Sequence, residues 1–256
     1  MASVAAPYDE QSVVWRTWHT LALVAMLAGI VLVGVVLPWA AGPSGNYRHA
    51  RLFAWLATLG FLTGFALVMG HGLTGLARGI FVDGRNKMSV SRLQMFLWTI
   101  LVLSACLTAA LANVGLGAAE PLAVSVPDPL LLAMGVSTSS LIASPLVLHR
   151  ANGKAVATND TPHESRWTDL ARAEQRGLDD VVDLAKLQLL LVTVVLVLAY
   201  AVGVGNAFAD DGHVVSALPT VDDAFVVMLG ISHAGYIAKK AVPAPPRARA
   251  GGATRA

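Results

Sequence analysis

Long apolar runs separated by short polar breaks set the plan of this chain. Six runs approach the roughly 20 apolar residues that carry a helix across a hydrocarbon core about 30 Å thick. They lie at Thr20 to Ala40, Leu52 to Leu73, Leu93 to Val114, Pro129 to Leu148, Leu187 to Phe208 and Ala224 to Ala241. The first is longer than the apolar core of a signal peptide and lacks a clean small-x-small cleavage site behind it, so it reads as a retained anchor. The predicted fold class is all-α, a six-helix transmembrane bundle.

A second pattern lies on top of the first. Ninety-four residues after Ser89-Val90-Ser91-Arg92-Leu93-Gln94 comes Asp183-Leu184-Ala185-Lys186-Leu187-Gln188, and the match continues with Leu97 against Leu191 and Thr99 against Thr193. At an offset of 95, Gly135-Val136-Ser137 pairs with Gly230-Ile231-Ser232. This is an internal repeat of an outgoing helix, an outer loop and a returning helix. Each unit crosses twice, so both copies sit the same way up about an axis along the membrane normal. The organisation is a leading hairpin in 1–82, repeat 1 in 83–148, a cytoplasmic linker in 149–182, repeat 2 in 183–242 and a tail in 243–256.

Each repeated start has a local explanation. Ser89 and Asp183 are suitable N-caps, Arg92 and Lys186 can snorkel to the interface, and Gln94 and Gln188 lie about one turn in. A buried amide in lipid takes its partner from a neighbouring helix.

Composition agrees with a membrane protein: of 256 residues 55% are hydrophobic and 13% charged, with mean hydropathy +0.63. The single cysteine, Cys106, excludes an intrachain disulfide or a cysteine-rich metal site. A net charge of +2 does not point to nucleic acid, whereas its distribution is informative. With the N-terminus inside, 16 of the 18 Lys and Arg residues lie on the cytoplasmic side, leaving only Arg48 and Arg51 outside. The positive-inside rule therefore places both termini in the cytoplasm of a bacterial inner-membrane, multi-pass protein. Trp15, Trp18, Trp39 and Trp55 read as interfacial belts.

The linker carries only a short helical stripe at Trp167, Leu170, Ala171 and Leu178, consistent with an interfacial helix in an otherwise solvated connector. The Pro- and Arg-containing tail from Pro243 reads as disordered and basic.

No Asp or Glu falls inside a predicted span, which removes the usual carboxylate devices of proton-coupled pumps. The intramembrane polar groups are amides, hydroxyls and histidines, with His233 deepest, His71 near an inner end and His19 interfacial. Gly135-Val136-Ser137 in the fourth segment and Ser232-His233-Ala234-Gly235 in the sixth resemble, over these two motifs, the rhomboid intramembrane serine proteases. The resemblance implies a Ser137–His233 catalytic dyad. Thr138 stands where that family has glycine, the second segment lacks its His-x-x-x-Asn pattern, and the first outer loop is short. Gly-x-Ser occurs in both repeats, as helix packing through small residues would require, alongside Gly60-x-x-x-Gly64 and Ala25-x-x-x-Gly29.

Two other readings use the remaining residues. Gln94, Thr99, Gln188 and Thr193, extended by Ser137-Thr138-Ser139-Ser140 and Ser144, would line a polar path if the repeats face each other. Alternatively the hydroxyls bond to their own helices and the protein is a scaffold or anchor. From Asp83 to Val242 the pattern resembles uncharacterised bacterial multispanning membrane proteins with a (Ser/Asp)-x-x-(Arg/Lys)-Leu-Gln helix start and a Gly-x-Ser returning helix. That resemblance implies a membrane location and no particular activity. The expectation is a non-enzymatic scaffold or anchor without metal or cofactor. Its partners are the lipid bilayer and either a second copy or a cytoplasmic protein.

Overall fold

A computed structural model describes residues 14–40, 48–152, 156–175, 180–209 and 213–242. Six α-helices form one bundle: α1 Thr17–Ala40, α2 Arg48–Thr74, α3 Val90–Gly115, α4 Asp128–Asn152, α5 Leu184–Ala209 and α6 Asp223–Ala241. Among the described residues there is no β-strand, only isolated bridges in the connections. The chain is a multi-pass helical membrane protein. Five helices are long and apolar enough to cross a membrane; α6, with 19 residues ending in Lys239 and Lys240, falls short by the same measure.

α3 is the central post. Its Trp98, Leu101, Ala105 and Ala109 share a core with Leu130 of α4, Leu196 and Tyr200 of α5, and Leu229 of α6. Trp55 of α2 belongs to this core and donates its indole N–H to Ser104 Oγ at 3.1 Å, so it is a buried packing residue and not part of an interfacial belt. α1 is peripheral, with 6% of its apolar window buried. It is held where the Phe61 ring lies against Gly29 and Leu111 against Gly34, positions at which a Cβ would collide. Gly135, Gly230 and Gly60 differ, since a Cβ there would meet nothing within 4 Å. The glycines of the duplicated Gly-x-Ser motif are therefore not close-packing devices.

The loops at the far end are stitched together. Asn113 of α3 donates to Val215 O (2.9 Å) and accepts from Val215 N (2.8 Å), Ser125 N donates to Ser216 O (2.8 Å), and Arg51 donates to His213 O (2.8 Å).

At the other end meet the starts of α3 and α5, the ends of α4 and α6, and the linker. Here a tight turn at 83–87 opens α3: Asp83 N donates to Lys87 O, and Asn86 adopts φ 57°, a left-handed conformation that asparagine tolerates. The linker is not a solvated connector, and beyond the end of α4 at Asn152 it contains no α-helix among its described residues. Pro162–Glu164 and Trp167–Leu170 are single 3-10 turns. Asn86 and Asn159 exchange hydrogen bonds through their side-chain amides, and Leu170 enters a second apolar core with Phe81, Met88, Val90, Leu189 and Tyr236. The tail from Pro243 and the predicted stripe residue Leu178 lie outside the described residues.

Candidate functional site

The chemistry collects where the linker meets the helix ends. Asp183 caps α5, accepting from Ala185 N (3.0 Å) and Lys186 N (3.2 Å), and pairs with Lys239 at 2.7 Å. Ser89, its counterpart before α3, makes no side-chain cap bond. Lys186, expected to snorkel, is turned inward instead. Its ammonium donates to Asp169 O (2.8 Å) and Arg172 O (3.0 Å) and meets Glu174 at 3.1 Å. Arg92, the equivalent residue of α3, stays exposed.

Glu174 is the hub. It comes from the linker, is 6% exposed, and faces three cations: Lys240 at 2.8 Å, Lys186 at 3.1 Å and Arg85 at 3.2 Å. Burial opposes its ionisation, but Lys186, Lys240 and Arg85 outweigh that and hold its carboxyl well below the usual carboxylate range. Burial likewise works against the Arg85 guanidinium. Glu174 and Asp83 more than compensate, keeping it firmly charged. Asp83 binds Arg85 through its side chain at 2.6 Å and also accepts from Arg85 N, so the 83–87 turn fixes the arginine. An acid set among two basic helix ends and a turn arginine has a structural purpose that its polar stretch of sequence does not reveal.

From this hub a polar ladder climbs between α3, α4 and α6. Lys240 donates to Ser144 Oγ and lies 4.4 Å from the centre of the Tyr236 ring. Ser144 meets the Tyr236 hydroxyl at 3.3 Å, and Ser91 meets Ser140 at 3.3 Å. One turn deeper, the Gln94 side-chain amide and His233 Nε2 are hydrogen-bonded at 2.7 Å. Gln94 Oε1, His233 Nδ1 and the Ser232 hydroxyl are buried without a partner.

The candidate residues do not converge as a polar path requires. Gln94 is fully buried and meets His233, whereas Gln188 is exposed on α5. Thr99 is half-buried, and Thr193 donates to Leu189 O of its own helix at 2.7 Å. Ser137, Thr138 and Ser139 likewise donate to the carbonyls of Ala133, Met134 and Gly135. Ser137 and His233 thus have different partners, and no hydrogen bond joins them. Near the start of α1, His19 and His71 meet at 2.9 Å beneath Trp18.

Next to the hub lies an open cavity of about 790 Å³, lined by the 83–87 turn, the start of α3, the ends of α4 and α6, and the linker at Val156 and Thr158. Arg85, Arg92 and Lys240 line it together with Asp83. Sequence reasoning passed over Glu174, Arg85, Lys240 and Tyr236. The one available signal was the excess of basic residues at helix ends on one side, which calls for a compensating acid without saying which.

Among the described residues no group of three or more His, Cys, Asp or Glu side chains could hold a metal ion. No family model, curated protein or solved structure matches this chain.

Proposed function

We propose that this protein is a non-enzymatic scaffold or anchor of the bacterial inner membrane, built as a leading hairpin plus two tandem helix pairs. Both termini are cytoplasmic, and the linker-capped face is what it presents there. The observation that carries this reading is the fastening of the linker to the start of α5, the end of α6 and the 83–87 turn through buried Glu174. A connector tied down this way offers a fixed surface, on which Trp167 stands 57% exposed, to a second copy or a cytoplasmic protein. The orientation is supported by the 16 basic residues on that side. The non-enzymatic reading is supported by the separate partners of Ser137 and His233.

In a Cys106→Ser background, a cysteine at Leu122 is expected to react with an impermeant maleimide in intact cells, and one at Thr168 only after permeabilisation. The reverse pattern overturns the orientation. A photo-crosslinker at Trp167 is expected to capture a defined protein in cells, and recovery of uncrosslinked chain alone removes the scaffold reading. Fluorophosphonate labelling that depends on both Ser137 and His233 would establish a hydrolase instead.

The ladder from Lys240 to His233 favours a second reading, transport along that path. Liposome flux that falls on Gln94→Leu and not on Gln188→Leu would support it, and equal flux in both would exclude it.

A further inference from the structure

We infer that the cavity at the linker end is a binding site for a phosphate group, carried either by a lipid headgroup or by a small soluble phosphate ester. Three observations converge on it. First, charge is unbalanced: the cations Arg85, Arg92 and Lys240 line the cavity beside the single carboxylate Asp83, and Glu174 behind them is shared among Arg85, Lys240 and Lys186. Arg92 lines the cavity with no ion pair among the described residues. Second, the Arg85 guanidinium lines the cavity at a fixed position, held by Asp83 through Nε and Nη2 and by Glu174 through Nη2. Third, Ser89 lines the same wall and its hydroxyl makes no cap bond to α3, so it can donate to an oxygen that the cations attract, while Ser91 and Ser144 are engaged with Ser140 and with Lys240 and Tyr236.

A phosphate suits this set better than a carboxylate. It brings more acceptor oxygens, and guanidinium forks match its geometry while an ammonium adds a point charge. Glu174 does not compete for the site, because its carboxylate is already shared among Lys186, Lys240 and Arg85. Beside His149 and Thr158, the wall is apolar at Leu141, Pro145 and Leu148 of α4, and the adjoining Ile142 and Leu146 are exposed on the outer side of that helix. A carbon skeleton attached to the phosphate therefore has an apolar surface to follow toward the bilayer.

The test uses delipidated full-length protein in detergent, titrated with dioleoyl phosphatidic acid and, separately, with dioleoylglycerol, which lacks the phosphate. Bound lipid is counted by native mass spectrometry. Phosphatidic acid is expected to bind about tenfold more tightly. Arg92→Gln removes an exposed, unpaired cation, and Thr158→Trp fills the cavity from an exposed position. Each is expected to weaken phosphatidic acid binding by about three- to tenfold while leaving the melting temperature unchanged. Arg16→Gln, an equal charge change just before α1 and away from the cavity, should leave binding as it is. Glycerol 3-phosphate is titrated alone against the same variants by calorimetry. Arg92-dependent binding of it assigns a free phosphate, and phosphatidic acid binding without it assigns a lipid. Equal binding of the two lipids together with no Arg92-dependent glycerol 3-phosphate binding overturns the site. So does an Arg16→Gln loss as large as that of Arg92→Gln.

Discussion

The starts of α3 and α5 carry the same pattern of cap, base, leucine and glutamine, and they bury opposite members of it. In α3, Gln94 is buried and Arg92 exposed; in α5, Lys186 is buried and Gln188 exposed. Base and amide are two residues apart, hence about 200° around a helix, so one start cannot bury both. Along their whole lengths the buried positions of α5 correspond to those of α3 displaced by one residue, a rotation of about 100°. The cause lies outside both helices. Linker residues Asp169, Arg172 and Glu174 supply three acceptors to Lys186, while Arg92 opens onto a cavity. A shared local pattern thus leaves open which face turns inward, and the neighbours choose.

The hub gives the sharpest way to break this contrast. Glu174→Gln leaves three cations facing one another in a buried site and is expected to cost about 3–5 kcal/mol, read as a large fall in detergent melting temperature. A loss under about 1 kcal/mol would mean that the linker acid does not hold the α5 start.

The same interaction has a pH signature. The folded Glu174 carboxyl titrates below its ordinary value of 4.5. Its contribution is fully present above that value and is lost as pH falls through the lower folded value. Melting temperature should therefore drop on acidification below about pH 4.5 in wild type and drop less in Glu174→Gln. Parallel curves would assign the acid sensitivity to other carboxylates.

Comparing the two bases is the next test. Lys186→Met removes donors from two carbonyls and a carboxylate and is expected to destabilise by roughly 2–3 kcal/mol. Arg92→Met should stay within about 0.5 kcal/mol. Equal effects would erase the distinction between the two starts.

The amides should show the reverse order with smaller values. Gln94→Leu deprives His233 of its partner and is expected to cost about 1 kcal/mol, near the mean for interhelical hydrogen bonds in membranes. Gln188→Leu, exposed on a lipid-facing helix, should be neutral or slightly stabilising.

Helix number and helix positions were legible because each depends on local composition. A run of apolar residues needs no knowledge of its neighbours to prefer lipid. The Asp183 cap was legible for the same reason, as its acceptors lie two and three residues away. The Gln94 amide was recognisable as a contact-seeking group. That its partner is His233, 139 residues distant, was not. The linker misled because Glu174 sits in a polar stretch of ordinary solvent-exposed character, and its burial depends on cations brought from three separate segments.

What the sequence determined by itself is an all-helical membrane chain in which two helix starts share a residue pattern. Those properties are sums over neighbouring residues, and hydrophobic transfer acts on each segment separately. Only the tertiary structure decided which of the two starts buries its base and which its amide. It also brought Arg85, Arg92 and Lys240 to one cavity. These outcomes depend on pairwise contacts between distant segments, whose energies exist only once the helices have docked and the linker has closed beneath them.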